Sequence, residues 1–146
     1  ELGDLVRQCS ESFRDRLAAR EILLDMQLEE AGTIPADQTR LRQLLHNLLE
    51  NCCRYVKPAG RVRVKLTRHQ GLAELVIEDS GPGIAKEQMG RLFDRFYRVE
   101  GSRSRSSGGS GLGLSICKNI VEAHGGSIYA EHSEMGGLKI RILLPG

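Results

Sequence analysis

Leu2, Leu5, Val6, Cys9, Phe13 and Leu17 recur at steps of three and four residues, which predicts an amphipathic helix at the start of the chain. Ile22, Leu24, Met26 and Leu28 then alternate with mostly polar neighbours, the period of a strand. After a connection from Gly32 to Ala36, Asp37 is placed to N-cap the longest helix, which runs to about Val56 and is ended by Lys57-Pro58-Ala59-Gly60. Val62, Val64 and Leu66 alternate on a second strand, His69-Gln70-Gly71 turns the chain, and Ala73 to Glu78 returns as its hairpin partner. A glycine-rich loop from Asp79 leads to a short helix carrying Met89, Leu92, Phe93 and Phe96. Helical spacing resumes from Leu112 to His124 and stops at Gly125-Gly126. Ile128 to His132 and Leu138 to Leu144 read as two further strands joined at Met135-Gly136-Gly137. Helices interleaved with hairpins predict an α/β two-layer sandwich, a mixed sheet of about five strands with about three helices on one face.

Between those periodic segments, Glu100 to Ser110 contains five Ser, three Gly and two Arg and no apolar side chain. Such a stretch has nothing to bury and is expected to be mobile when nothing is bound. The 146 residues fit one domain, and with aromatics at 4% and no Trp the core must be built from Leu, Ile and Val. A formal charge of +2 gives no footprint for a nucleic acid or a membrane surface. No apolar run approaches the roughly 20 residues of a membrane span, so the chain is expected to be soluble and not to cross a membrane. Cys9, Cys52, Cys53 and Cys117 form no C-x-x-C pair and lie mostly on apolar helix faces, which predicts buried reduced thiols.

Candidate chemistry falls at three places. On the long helix, at about 100° per residue, Asn47, Asn51, Arg54 and Tyr55 share one polar strip, opposite Leu45, Leu48, Leu49, Cys52 and Val56. A solvated face explains such a strip, but two Asn cost helix propensity where Lys, Glu or Gln are the common surface choices. Asn amides offer neutral oxygen ligands to a hard cation, and Arg54 suits a phosphate oxygen. Asp79, at a strand end before Ser80-Gly81-Pro82-Gly83-Ile84, is either an Asx-type turn residue or an acceptor for an exocyclic amine. The cluster Gly108-Gly109-Ser110-Gly111-Leu112-Gly113-Leu114 runs straight into a helix, where backbone N–H groups and the helix dipole suit phosphate. It is neither a P-loop nor a clean dinucleotide fingerprint.

In this order the elements are far more specific than any one alone. Asn47-Leu48-Leu49-Glu50-Asn51, Asp79-x-Gly81-x-Gly83 and Gly109-x-Gly111-Leu112-Gly113-Leu114 resemble the N, G1 and G2 boxes of bacterial sensor histidine kinases. Leu92-Phe93-Asp94-Arg95-Phe96-Tyr97-Arg98 looks like their F box, and the run from Phe93 to His124 is similar to the envelope-stress sensors within that family.

The resemblance implies a catalytic and ATP-binding domain of the Bergerat fold across residues 1–146, with ATP and Mg²⁺ as cofactors. It makes Asn51 a Mg²⁺ ligand with Asn47 beside it. Arg54 stands in place of the usual phosphate-binding Lys, and Tyr55 packs on adenine. Asp79 accepts the adenine amino group in a pocket shaped by Gly81, Gly83 and Ile84. Ser110, Gly111, Leu112, Gly113 and Leu114 bring backbone to the phosphates. Arg98 reaches the terminal phosphate, and residues at about 97–110 form the ATP lid. Asn47, Glu50, Arg54 and Arg98 form the expected catalytic set, Glu50 being either a catalytic aid or solvent-facing. The N box departs from the usual pattern at Cys52, in place of Ala, and at Arg54.

None of His46, His69, His124 and His132 has the Ser-His-Glu setting of the family's phosphoacceptor. The resemblance therefore implies a partner: the His-bearing dimerisation hairpin of the same receptor, with a response regulator downstream. It further implies a C-terminal piece of a homodimeric membrane receptor, itself monomeric and on the cytoplasmic side of the bacterial inner membrane. Two other functions are consistent with the same boxes. One is an ATP-hydrolysing clamp, as in the related gyrase and mismatch-repair ATPases, which carry a Glu where this chain has Asn47. The other is a nucleotide-sensing module without transfer.

Overall fold

The computed structural model describes residues 2–29, 36–81, 93 and 113–145, with backbone only at 54 and 55. Within these residues the helices are α1 (Leu2–Ala18), α2 (Gln38–Tyr55) and α3 (Gly113–Ala123). The strands are β1 (Leu23–Leu28), β2 (Arg61–His69), β3 (Leu72–Asp79), β4 (Ser127–His132) and β5 (Leu138–Pro145). The expected helix around Met89, Leu92 and Phe96 lies outside the described residues. Phe93 is described, and it packs half-buried against the core.

The strands form one mixed sheet in the order β1-β2-β3-β5-β4. Only β1 and β2 run parallel; every other neighbouring pair is antiparallel. The β2–β3 hairpin turns on Gln70 (φ 51°) and Gly71 (φ 81°), two left-handed residues in succession, the backbone a tight right-twisted hairpin requires. In register, Leu24, Val62, Ile77, Val64, Leu75, Leu66, Ile140 and Ile142 share one face of the sheet. All three helices cover that side, and Val6, Leu17, Leu44, Leu45, Leu49, Ile120 and Val121 complete a core built almost wholly of aliphatic side chains. The reverse face is polar: Arg63 reaches Asp25 (3.4 Å) and Glu78 (3.5 Å), and Arg141 reaches Glu74 (3.5 Å) and Glu131 (3.3 Å).

Helix α2 is held at both ends. Asp37 caps its N-terminus by accepting from the Arg40 N–H at 3.2 Å. At the other end the Arg20 guanidinium donates to the Cys53 carbonyl, one of the acceptors a helix terminus leaves unpaired. His124, at the end of α3, accepts the Asp37 N–H on Nε2 (3.0 Å) while its Nδ1 donates to the Ile120 carbonyl (2.8 Å). All four cysteines are free thiols, Cys9 half-buried and the other three buried. No described helix is long and apolar enough to cross a membrane.

Candidate nucleotide site

Asp79 ends β3 opposite Val62, so its side chain falls on the helix-covered face rather than the polar one. Burial there pushes its carboxyl above the ordinary carboxylate range. Hydrogen bonds from two backbone N–H groups pull it partly back down, and the neighbouring Glu78 charge adds a smaller upward push. Both backbone bonds fall on Oδ1: the Gly81 N–H donates at 2.9 Å and the Leu138 N–H at 3.2 Å. Among the described residues Oδ2 takes no hydrogen bond. The carboxylate is therefore fixed by one oxygen and offers the other as an acceptor, the arrangement an exocyclic amine needs.

Gly81 has φ +113°, a conformation that L side chains rarely adopt, and its carbonyl accepts the Lys57 N–H at 3.1 Å. That bond ties the loop after β3 to the end of α2. Cys52, in the last turns of α2, lies close enough to Asp79 for the carboxylate to raise its thiol pKa further, on top of the larger effect of burial. The carboxylate and the α2 strip are thus neighbours.

Helix α3 runs antiparallel to α2. His124 meets Asp37 at one end, and the Cys117 thiol meets the Leu44 carbonyl at 3.8 Å, seven residues along each helix. Continuing the same way brings the first turn of α3, with Gly113 and half-buried Leu114, alongside the stretch of α2 that carries Asn47 and Asn51. Asn47 lies close enough to Cys117 to pull its thiol pKa down, but burial outweighs it and pushes that thiol up to about 12. Asn51 makes no hydrogen bond to any described residue. Two neutral oxygens on one helix, with no carboxylate committed between them, fit a hard cation that is shared with phosphate. The described residues hold no cluster of three or more His, Cys, Asp or Glu that would form a protein-only metal site.

Glu50 faces elsewhere. Its carboxylate forms a two-pronged ion pair with Arg16 of α1, at 2.7 and 3.0 Å. Arg16 also lies 5.0 Å over the Phe13 ring, which meets His46 edge-on at 5.2 Å. Neither expectation for Glu50 anticipated this tie between helices. The side chains of Arg54 and Tyr55, and residues Gly83, Ile84, Arg98, Ser110, Gly111 and Leu112, lie outside the description, as does the expected lid at about 97–110.

The structure adds Gly137, read in the sequence only as part of a strand connection. A Cβ there would sit 2.0 Å from Asp79 Oδ1 and 2.4 Å from the Gly81 nitrogen, so only glycine lets the β4–β5 turn lie against the carboxylate. The Gly137 N–H donates to the Asp79 carbonyl at 3.1 Å. The signal was present in the Gly136-Gly137 pair, but a hairpin turn accounts for two glycines equally well.

Residues 36–146 match the family of histidine kinase-, DNA gyrase B-, and HSP90-like ATPases, and the chain belongs to it. Its mixed sheet and three helices are the Bergerat fold of histidine kinase catalytic domains. Over 145 residues the chain is 46% identical to the signal transduction histidine-protein kinase BaeS of Escherichia coli K12, an alignment covering 99% of this chain and 31% of BaeS. Among solved structures it is similar to the mycobacterial sensor histidine kinase MprB, with TM-score 0.85 and 33% identity over 99% of this chain and 95% of that one. It is also similar to full-length ShkA in complex with AMPPNP, with TM-score 0.84 and 28% identity over 99% of this chain and 30% of ShkA. The chain spans about a third of the length of the first two curated relatives it matches.

Proposed function

We propose that this domain binds Mg-ATP and transfers the terminal phosphate to a histidine on the dimerisation hairpin of a sensor kinase in two-component signalling. The observation that carries the reading is Asp79: a half-buried carboxylate with one oxygen held by two backbone N–H groups and the other open, beside the Asn-bearing strip of α2. ShkA, a relative of the same fold, is known in complex with an ATP analogue, AMPPNP, which supports nucleotide at this site.

In this reading Asp79 accepts the adenine amino group, Gly81, Gly83 and Ile84 line the base pocket, and Tyr55 packs on the ring. Asn51 and Asn47 would hold the cation, which would supply charge neutralisation to the phosphates when bound. Arg54 and Arg98 bind phosphate oxygens, while Ser110 to Leu114 present backbone N–H groups at the start of α3. Glu50 acts through structure, locking α2 to α1. Phosphoryl transfer asks the protein mainly for position and charge balance, and the nucleophile comes from the hairpin. A response regulator then takes the phosphate, and the domain works at the cytoplasmic face of a bacterial inner membrane as part of a dimeric receptor.

A hydrolysing clamp fits less well. The position from which a Glu would activate water is Asn47, an amide that cannot act as a base, and the nearby carboxylate of Glu50 is engaged with Arg16.

Calorimetric titration with ATP, with and without Mg²⁺, tests the site. Saturable binding strengthened by Mg²⁺ and weakened by about 10- to 100-fold in Asp79→Asn is expected, and no binding at millimolar ATP would remove the reading. Adding a His-bearing hairpin with labelled ATP then separates transfer from hydrolysis and from binding alone.

A further inference from the structure

Glu78 and Asp79 are consecutive residues of β3 and point to opposite faces of the sheet. Asp79 serves the nucleotide side in the reading above. Glu78 lies on the reverse face, yet is only 7% exposed, an expensive position for a carboxylate unless it is hydrogen-bonded. Its partner is Ser133, itself 8% exposed, whose hydroxyl donates to Glu78 Oε2 at 3.0 Å. Arg63 lies 3.5 Å from Oε1.

Ser133 uses every hydrogen-bonding group it has. Its Oγ also accepts the Met135 N–H (3.0 Å), its N–H donates to the Gly137 carbonyl (2.8 Å), and its carbonyl accepts the Gly136 N–H (3.0 Å). The turn knotted in this way then supplies, at its far end, the Gly137 N–H to the Asp79 carbonyl and the Leu138 N–H to Asp79 Oδ1. The turn from Ser133 to Leu138 therefore straddles the end of β3, gripping Glu78 on one face and Asp79 on the other. A hairpin connection that had only to reverse the chain would need neither the buried hydroxyl nor the buried acid.

We infer that Ser133, anchored on Glu78, is a positioning residue for adenine recognition: it clamps the β4–β5 turn so that the Leu138 N–H holds Asp79 Oδ1 and leaves Oδ2 aimed at the base. The inference rests on Asp79 being the adenine acceptor for its consequence, but its geometry can be tested without nucleotide.

Two measurements decide it. In the nucleotide-free chain, Ser133→Ala is expected to speed amide hydrogen exchange at Leu138, Gly137 and Gly81. The Ser80 amide, bonded to the Arg61 carbonyl across the sheet, should keep its protection. Unchanged exchange at Leu138 and Gly81 overturns the clamp, whatever the chain does with ATP. In competition binding, Ser133→Ala should weaken ATP by about tenfold, the scale of one hydrogen bond to a charged group, and narrow the preference for ATP over GTP. GTP presents a carbonyl where ATP presents an amine, so a merely destabilised fold would weaken both alike, and that outcome also overturns the proposal. Ser133→Thr keeps the hydroxyl and should restore both exchange protection and base preference. Wild-type chain that fails to bind ATP counts against the proposed function and leaves the exchange result to decide the clamp.

Discussion

At the scale of single residues, Asp79 combines two demands that conflict. Burial against the helices raises its pKa, so the ionised side chain is a liability for the empty fold, while its free oxygen is what the proposed site needs. Asp79→Asn separates the two. The amide oxygen can still accept from Gly81 and Leu138, but the nitrogen then presents a donor where an adenine amine also donates. ATP affinity should fall by about 10- to 100-fold, the scale of a hydrogen bond to a charged group, with the melting temperature of the empty chain unchanged or raised. Calorimetry and thermal melting check the two halves. Gly137→Ala should do the reverse of sparing the fold: a Cβ driven into Asp79 and the Gly81 nitrogen should cost about 2 kcal/mol, read by urea denaturation. Asp79 was legible in the sequence because a carboxylate before Ser80-Gly81-Pro82-Gly83 is a local pattern. Gly137 and Ser133 were not, because their meaning depends on a strand more than 50 residues away, and no local rule distinguishes a turn glycine from one pressed against a carboxylate.

At the scale of elements, local rules account for nearly everything the strands and helices do. Asp37 caps α2 as its position before an apolar-periodic run predicts, and Asp37→Ala should cost about 1 kcal/mol in a denaturation midpoint. The alternation of Val62, Val64 and Leu66 gives β2 its buried face, and Gln70-Gly71 gives the hairpin its turn. What periodicity could not supply was the partner of each polar helix face. Glu50 lies near the Asn strip on a helical wheel, and its ion pair with Arg16 arises only when α1 docks alongside α2. Because Arg16 is half-exposed, solvent and salt screen the pair, and a double-mutant cycle of Arg16→Ala with Glu50→Ala should return a coupling of only about 0.5 kcal/mol. ATP affinity should be little changed in Glu50→Gln; a large loss would assign Glu50 to the chemistry after all.

At the scale of the whole molecule, the class of fold was readable from alternating helices and hairpins, whereas the order β1-β2-β3-β5-β4 and the single parallel pair were not. Strand neighbours are chosen by long-range packing, and nothing local to β5 says that it inserts between β3 and β4. That insertion matters, because it brings the Leu138 N–H to Asp79 and so couples the stability of the molecule to its proposed ligand through one proton. Protonated Asp79 is favoured in the folded chain over the unfolded one, since its folded pKa is raised. Below the unfolded value the group is neutral in both states and costs nothing. As pH rises through the folded value, the fold must carry a desolvated charge, and this contribution to stability is lost. ATP binding should move in the opposite direction, strengthening as the same proton leaves and Oδ2 becomes a full acceptor. Many other carboxylates titrate nearby in pH, so the informative quantity is the difference between wild type and Asp79→Asn. Their stabilities should coincide at the acid end of the window and diverge in favour of the variant as pH rises from the ordinary carboxylate range to above Asp79's raised value. Over the same interval their ATP affinities should diverge in favour of the wild type. Parallel rather than opposed trends in melting temperature and ATP affinity would mean that Asp79 holds the fold together and that another group receives the base.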